Sequence, residues 1–135
     1  MGYCMSQMDS SFHIPARNLA DAVKAIQNLA GKESIKAYGS YNAHFSWVDH
    51  DFAKHNNLPD IMDEWRWEVS LDEGGNVDSI MFSGEKLGDD LTLFQAIAPY
   101  VEKDCFIEMQ GEDGSLWRWT FDGAKCYEIS PTITW

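Results

Sequence analysis

The sequence is poor in basic residues. Ten lysine and arginine residues stand against 22 aspartate and glutamate residues, so the formal net charge is −12 at pH 7. Nucleic acids and anionic membrane surfaces are bound chiefly by lysine and arginine side chains, and the composition therefore predicts neither as a partner. The same charge favours a basic protein as partner, because opposite charges accelerate association.

Cysteine is scarce, and long apolar runs are missing. Cys4, Cys105 and Cys126 are an odd number without a C-x-x-C spacing, which argues against a disulfide framework and for the reducing cytosol. Cys105 and Cys126 lie in apolar runs and are predicted to be buried. No apolar run approaches the ~20 residues that span a bilayer, and the first residues lack the apolar segment of a signal peptide. We therefore expect a cytoplasmic protein without a membrane partner.

Catalytic signatures are also missing. The chain has no G-x-S-x-G nucleophile motif, no phosphate-binding G-x-x-x-x-G-K-[ST] motif and no EF-hand spacing. One polar cluster has some metal-ligand character, but only two of its members have the one-face helical spacing of a short zinc motif, Asp51 and His55. The cluster comprises His44, Asp49, His50, Asp51 and His55. The sequence therefore predicts no catalytic residue, no metal site and no cofactor.

Three segments of the chain have helical features. Apolar residues recur at helical spacing between a capping Asn18 and Gly31. A short second helix is predicted from Leu58-Pro59 toward Glu64, with proline at its first position. A third begins at Asp89 or Asp90 and ends near Pro99, which cannot continue a helix.

The rest of the pattern is typical of antiparallel strands. Alternation over residues 65–71, a turn at 72–76 and a return strand predict a hairpin, and Phe45 with Trp47 suggests a short extended piece. Residues 105–110, 116–121 and 125–129, with Asp-Gly turns between them, predict a meander. We expect one α+β domain over residues 1–135, with residues 1–9 as a loose arm. Its two layers would be a five- or six-stranded, mainly antiparallel sheet and helices packed on one face.

The tripeptide Trp-Arg-Trp occurs twice, at residues 65–67 and 117–119. Strand alternation places the four tryptophans toward the helices as core residues and the two arginines on the opposite, open face of the sheet. Phe106 alternates out of phase with its apolar neighbours, and an aromatic side chain on a wet face is typical of an interface. The predicted binding residues on the open face are Arg66, Glu68, Phe106, Glu108, Arg118 and Glu128.

Two alternatives use other residues. A small-molecule-binding module would have a pocket between helices and sheet, lined by Trp47, Trp65, Trp67, Trp117 and Trp119. A small hydrolase would use His50 or a pair of strand glutamates, which requires a cleft that holds a group with a perturbed pKa.

Several segments carry a resemblance to known sequences. They are EWRWE at 64–68, FSGEKLGDD at 82–90, AIAPYV at 96–101, IEMQGEDG at 107–114 and WRW at 117–119. With these segments the chain resembles small bacterial proteins of unassigned function that are carried by phages and mobile elements, including integron gene cassettes. The resemblance implies a bacterial, cytosolic origin and supplies no site residue.

The leading hypothesis is a non-enzymatic binding protein that uses the open face and its acidic surface. The expected partner is a second copy, which would make a homodimer, or another protein, for which the charge favours a basic one.

Overall fold

The computed structural model describes residues 2–32, 45–49 and 51–131. Within these residues the predicted α+β class is confirmed, with three helices and six antiparallel strands. The helices are α1 (Leu19–Gln27), α2 (Leu58–Glu64) and α3 (Asp90–Ile97). The strands are β1 (Met5–Ser11), β2 (Trp67–Leu71), β3 (Val77–Phe82), β4 (Phe106–Gly111), β5 (Leu116–Phe121) and β6 (Cys126–Ile129). None of these helices has the length and apolar character needed to cross a membrane.

The strands are divided between two sheets, where the sequence suggested one. The larger sheet has the order β1-β4-β5-β6, and the smaller one is the β2-β3 hairpin. Strand β1 includes most of the segment that was expected to be a loose arm, and it pairs with β4 from Met5 opposite Gly111 to Ser11 opposite Phe106. The predicted meander is confirmed as β4, β5 and β6.

A side-chain amide joins the two sheets where a backbone ladder would otherwise continue. The register of β1 shifts after Gln7, which is a bulge that leaves Met8 unpaired. The Gln7 amide nitrogen donates to the Ile80 carbonyl at 2.9 Å, and its oxygen accepts from the Phe82 amide at 2.7 Å. Strand β3 therefore lies beside β1 without extending its ladder.

The helices cover one face of the four-stranded sheet. Helix α3 places Phe94 at 5.2 Å from Trp119 and 6.0 Å from Phe121, measured between ring centroids. Helix α1 packs against α3 and α2 through its buried stripe of Ala22, Val23 and Ile26. The core therefore lies between the helices and the inward side of the sheet.

Local chemistry explains the helix ends. Asn57 caps α2 by accepting from the Asp60 amide at 2.9 Å, with Pro59 in the first turn. The Asn18 side chain precedes α1 as predicted, but it donates to the Tyr100 carbonyl instead of capping the helix. The chain at Phe45–Trp47 forms a turn, not the predicted extended piece.

Candidate interaction surface

Three of the predicted binding residues lie together on the open face, which is the side of the four-stranded sheet opposite the helices. Glu108 and Arg118 are directly opposite in the β4-β5 register, and the arginine Nε donates to Glu108 Oε1 at 2.7 Å. The Arg118 guanidinium also stacks on Phe106, 4.4 Å from its ring centroid. A stacked and ion-paired arginine is held in one orientation, which reduces the entropy lost when a partner covers it.

Exposed apolar side chains surround this group. Leu116 is 40% exposed, Tyr127 48% and Ile129 49%. The β5-β6 register pairs Arg118 with Ile129 and Thr120 with Tyr127, so these residues lie on the same open face. Sequence reasoning missed all three, although burial of Cys126 in an alternating strand implies that Tyr127 and Ile129 point outward.

The open face carries little of the chain's negative charge. Its strand positions hold two carboxylates, Asp9 and Glu108, and one guanidinium, so their net charge is −1. Residues 60–90, which contain the two-stranded sheet, hold ten acidic and two basic residues, a net charge of −8. The remaining open-face positions are Ser6, Ser11, Phe106, Gln110, Leu116, Thr120, Tyr127 and Ile129.

A groove of about 430 Å³ lies at the β6 side of this face. Its lining combines apolar and charged members of the open face with the residues that follow β6 and with the mostly buried Trp117. They are Glu108, Leu116, Trp117, Arg118, Ile129, Ser130 and Pro131. The open face is therefore concave in this region as well as partly apolar, and the groove can accept a side chain of a partner protein.

Arg66 does not lie on the open face, and its predicted placement there is wrong. Trp65 is the C-cap residue that follows α2, and Arg66 adopts a positive φ of 72° in the turn before β2. Its guanidinium donates to Asp90 Oδ1 at 2.9 Å and to the Lys86 carbonyl, and its side chain is only 14% exposed. Asp90 is fully buried and also accepts from Trp67 Nε1 at 2.9 Å.

Glu68 and Glu128 are also placed differently from the prediction. Glu68 lies on the outer side of the two-stranded sheet, opposite Met81, and is therefore not in the same sheet as Glu108. Glu128 is opposite Trp119 and accepts from its Nε1 at 2.8 Å, which places it on the covered side at the sheet edge. The prediction failed because it counted Cys126 and Glu128, which are two residues apart in one strand, on opposite faces.

Four tryptophans of the alternative pocket fill the core. Trp65, Trp67 and Trp119 are fully buried, and Trp117 is 9% exposed. The ring centroid of Trp119 lies 6.0 Å from those of both Trp67 and Trp117, in edge-to-face arrangements typical of packed aromatic rings. Trp47 is 49% exposed and lies apart from them, beside Val48 and Asp49 in a different cleft. The five residues therefore do not line one common cavity.

The metal-like cluster is only partly described. His44 and His50 lie outside the described residues, whereas Asp49, Asp51 and Glu64 have carboxylate oxygens within 4.8 Å of one another. Lys54 Nζ donates a hydrogen bond to Asp51 Oδ2 at 3.2 Å, and this bond raises the pKa of the lysine. His55 Nε2 lies 3.7 Å from a Glu64 carboxylate oxygen. A lysine and a histidine side chain therefore already approach these carboxylates.

The cysteines do not form a reactive pair in the described part of the chain. Cys105 and Cys126 are buried free thiols, as predicted. Burial raises the pKa of both, to about 12 for Cys126, so the thiolate form is suppressed. Cys4 accepts a hydrogen bond from Lys86 Nζ at 2.9 Å, and an isolated antiparallel backbone bridge joins the same two residues.

Comparisons with protein-family models, with curated proteins and with solved structures gave no significant match to this chain. The resemblance to small proteins of bacterial mobile elements therefore stays a prediction.

Proposed function

We propose that this chain is a non-enzymatic protein that binds another protein through the open face of its four-stranded sheet. The observation that carries the proposal is the set of exposed apolar side chains, Leu116, Tyr127 and Ile129, around the stacked Arg118. Interface centres are depleted in charge and enriched in aromatic and arginine side chains. On a chain of charge −12, a face of net charge −1 has this composition.

The alternatives have less support. A pocket lined by the tryptophans would need empty volume between helices and sheet, and side chains such as Trp67 and Trp119 occupy that space. A hydrolase would need a cleft with a perturbed acid or base, and the strand glutamates lie in three different places, with Glu108 paired to Arg118. The free thiols support a reducing, cytosolic location as part of the proposal.

A matched pair of substitutions tests the proposal. Ile129 and Leu71 each end a strand and are 49% and 45% exposed, but only Ile129 lies on the open face. Three tagged chains are compared: the wild type, Ile129→Lys and Leu71→Lys. Each is expressed together with the untagged chain in cells that carry the gene, and the proteins that copurify with the tag are quantified by mass spectrometry. We expect wild type and Leu71→Lys to recover the same protein, and Ile129→Lys to lose it by about tenfold or more.

Equal recovery by all three chains would place the binding elsewhere. No recovered protein with the wild type would remove the proposal. Denaturation midpoints of the three chains, measured at a concentration where each is monomeric, serve as the control, because a lysine at either exposed position should leave the fold intact.

A further inference from the structure

We propose that the occupant of the open face is a second copy of this chain, packed face to face about a twofold axis. This inference rests on the proposed function and names its partner. Charge provides the first argument: a basic partner is attracted more strongly to residues 60–90, with their net charge of −8, than to the strand positions of the open face, with their net charge of −1. The open face is the part of the sheet where two acidic copies can approach with little repulsion.

The charged pair at the centre of the face is self-complementary. A twofold axis makes residue i of one copy contact residue j of the other and the reverse. Glu108 and Arg118 are cross-strand neighbours in the two central strands. An axis that passes between them brings each Arg118 beside the other copy's Glu108, while Leu116, Tyr127 and Ile129 supply the surrounding apolar contact.

Both edges of the four-stranded sheet are poorly suited to pairing with a strand of a second copy, which favours dimerisation through the open face. At one edge, the Gln7 side chain bonds to the backbone of residues 80 and 82, and the backbone of residues 85 and 87 bonds to that of residues 5 and 3. At the other edge, β6 has four residues and is followed by Ser130-Pro131, and proline lacks the N–H that a further ladder bond requires. Two sheets that pack through their faces, as in a β-sandwich, need neither edge.

Two opposite charge reversals test this arrangement. Glu108→Arg leaves two arginines at the centre of the face, and Arg118→Glu leaves two glutamates. We expect the wild type to have the mass of a dimer in light scattering after gel filtration, at both low and high salt. Each variant alone should dimerise at least about tenfold more weakly, because like charges then oppose each other across the axis. An equimolar mixture of the two variants should restore a dimer that contains one copy of each.

The outcomes separate this inference from the proposed function. A monomeric wild type, or a dimer that neither reversal weakens, overturns the second copy as occupant; the open face is then judged by the Ile129→Lys and Leu71→Lys comparison alone. Weakening without restoration in the mixture also overturns the twofold arrangement. Because a reversal could disturb the fold, Tyr127→Lys provides a further variant outside the charged pair. It should also yield a monomer, and its denaturation midpoint should match that of the wild type at a concentration where both chains are monomeric.

Discussion

The tripeptide Trp-Arg-Trp occurs near the start of the two-stranded sheet and again inside the four-stranded sheet, with opposite results. In β5, the arginine points outward, pairs with Glu108 and stacks on Phe106. Before β2, the arginine turns inward at a positive φ and binds the fully buried Asp90. The tryptophans of both copies lie in the core. The same three residues therefore provide a surface group in one sheet and an internal support in the other.

The difference arises from what precedes each copy. Trp117 continues a strand that already alternates, so Arg118 takes the opposite face. Trp65 directly follows a helix as its C-cap, and a positive φ at Arg66 lets the chain leave α2 and enter β2. A non-glycine residue at positive φ is costly unless its surroundings hold it there. The bonds from Arg66 to Asp90 and to the Lys86 carbonyl supply that support.

The largest expected contrast is between Arg66→Met and Arg118→Met. Removing Arg66 leaves the buried Asp90 carboxylate without its cation, and breaking a buried pair costs about 3–5 kcal/mol. Removing Arg118 breaks a partly exposed pair, for which less than about 1 kcal/mol is typical. Urea denaturation of both variants, at a concentration where the chain is monomeric, measures the two costs.

A double variant identifies the cause of the Arg66 effect. Adding Asp90→Asn to Arg66→Met removes the uncompensated charge and should recover at least about 1 kcal/mol. If the double variant is no more stable than Arg66→Met, or if Arg118→Met costs as much as Arg66→Met, the division into an internal and a surface arginine is wrong.

The second contrast compares Trp67→Phe with Trp119→Phe. Both indoles are fully buried, so the loss of packing should be similar. Trp67 Nε1 donates to the buried Asp90, whereas Trp119 Nε1 donates to Glu128, which is exposed and can bind water instead. We expect Trp67→Phe to be the more destabilising by about 1 kcal/mol, since buried bonds to charged groups contribute more. Thermal or urea unfolding of both variants would contradict this if the order were reversed.

Local signals were enough to predict much of the fold. The meander follows from period-two alternation and Asp-Gly turns, and Gly114 and Gly123 do adopt positive φ values of 85° and 95°. The start of α2 follows from proline in its first turn. The split into two sheets depends on Gln7 reaching Ile80 and Phe82 far along the chain, and no local pattern contains that contact.

The candidate site was predicted only in part, for the same reason. Phe106, Glu108 and Arg118 were found because each alternates within a clear strand. Arg66 was misplaced because alternation over residues 65–71 gave no sign that Trp65 belongs to a helix end. The tertiary partners of Arg66, which are Asp90 and the Lys86 carbonyl, explain why its side chain turns inward.

The smallest expected effect concerns the turns of the two sheets, which should behave alike. The Asn76 and Gly74 amides lower the pKa of Asp72, and the Lys125 and Ala124 amides lower that of Asp122. A lowered pKa in the folded state means that each carboxylate stabilises the fold above its usual pKa of about 3.9, and that this contribution is lost as the pH falls through the lowered value. Asp72→Asn and Asp122→Asn should therefore be less stable than the wild type at pH 7, with the difference shrinking toward pH 2. Denaturation midpoints across this range measure it, with Glu73→Gln as a control that removes the same charge from the Asp72 turn. A difference as large at pH 2 as at pH 7 would mean that the hydrogen bonds to the ionised carboxylates do not stabilise these turns.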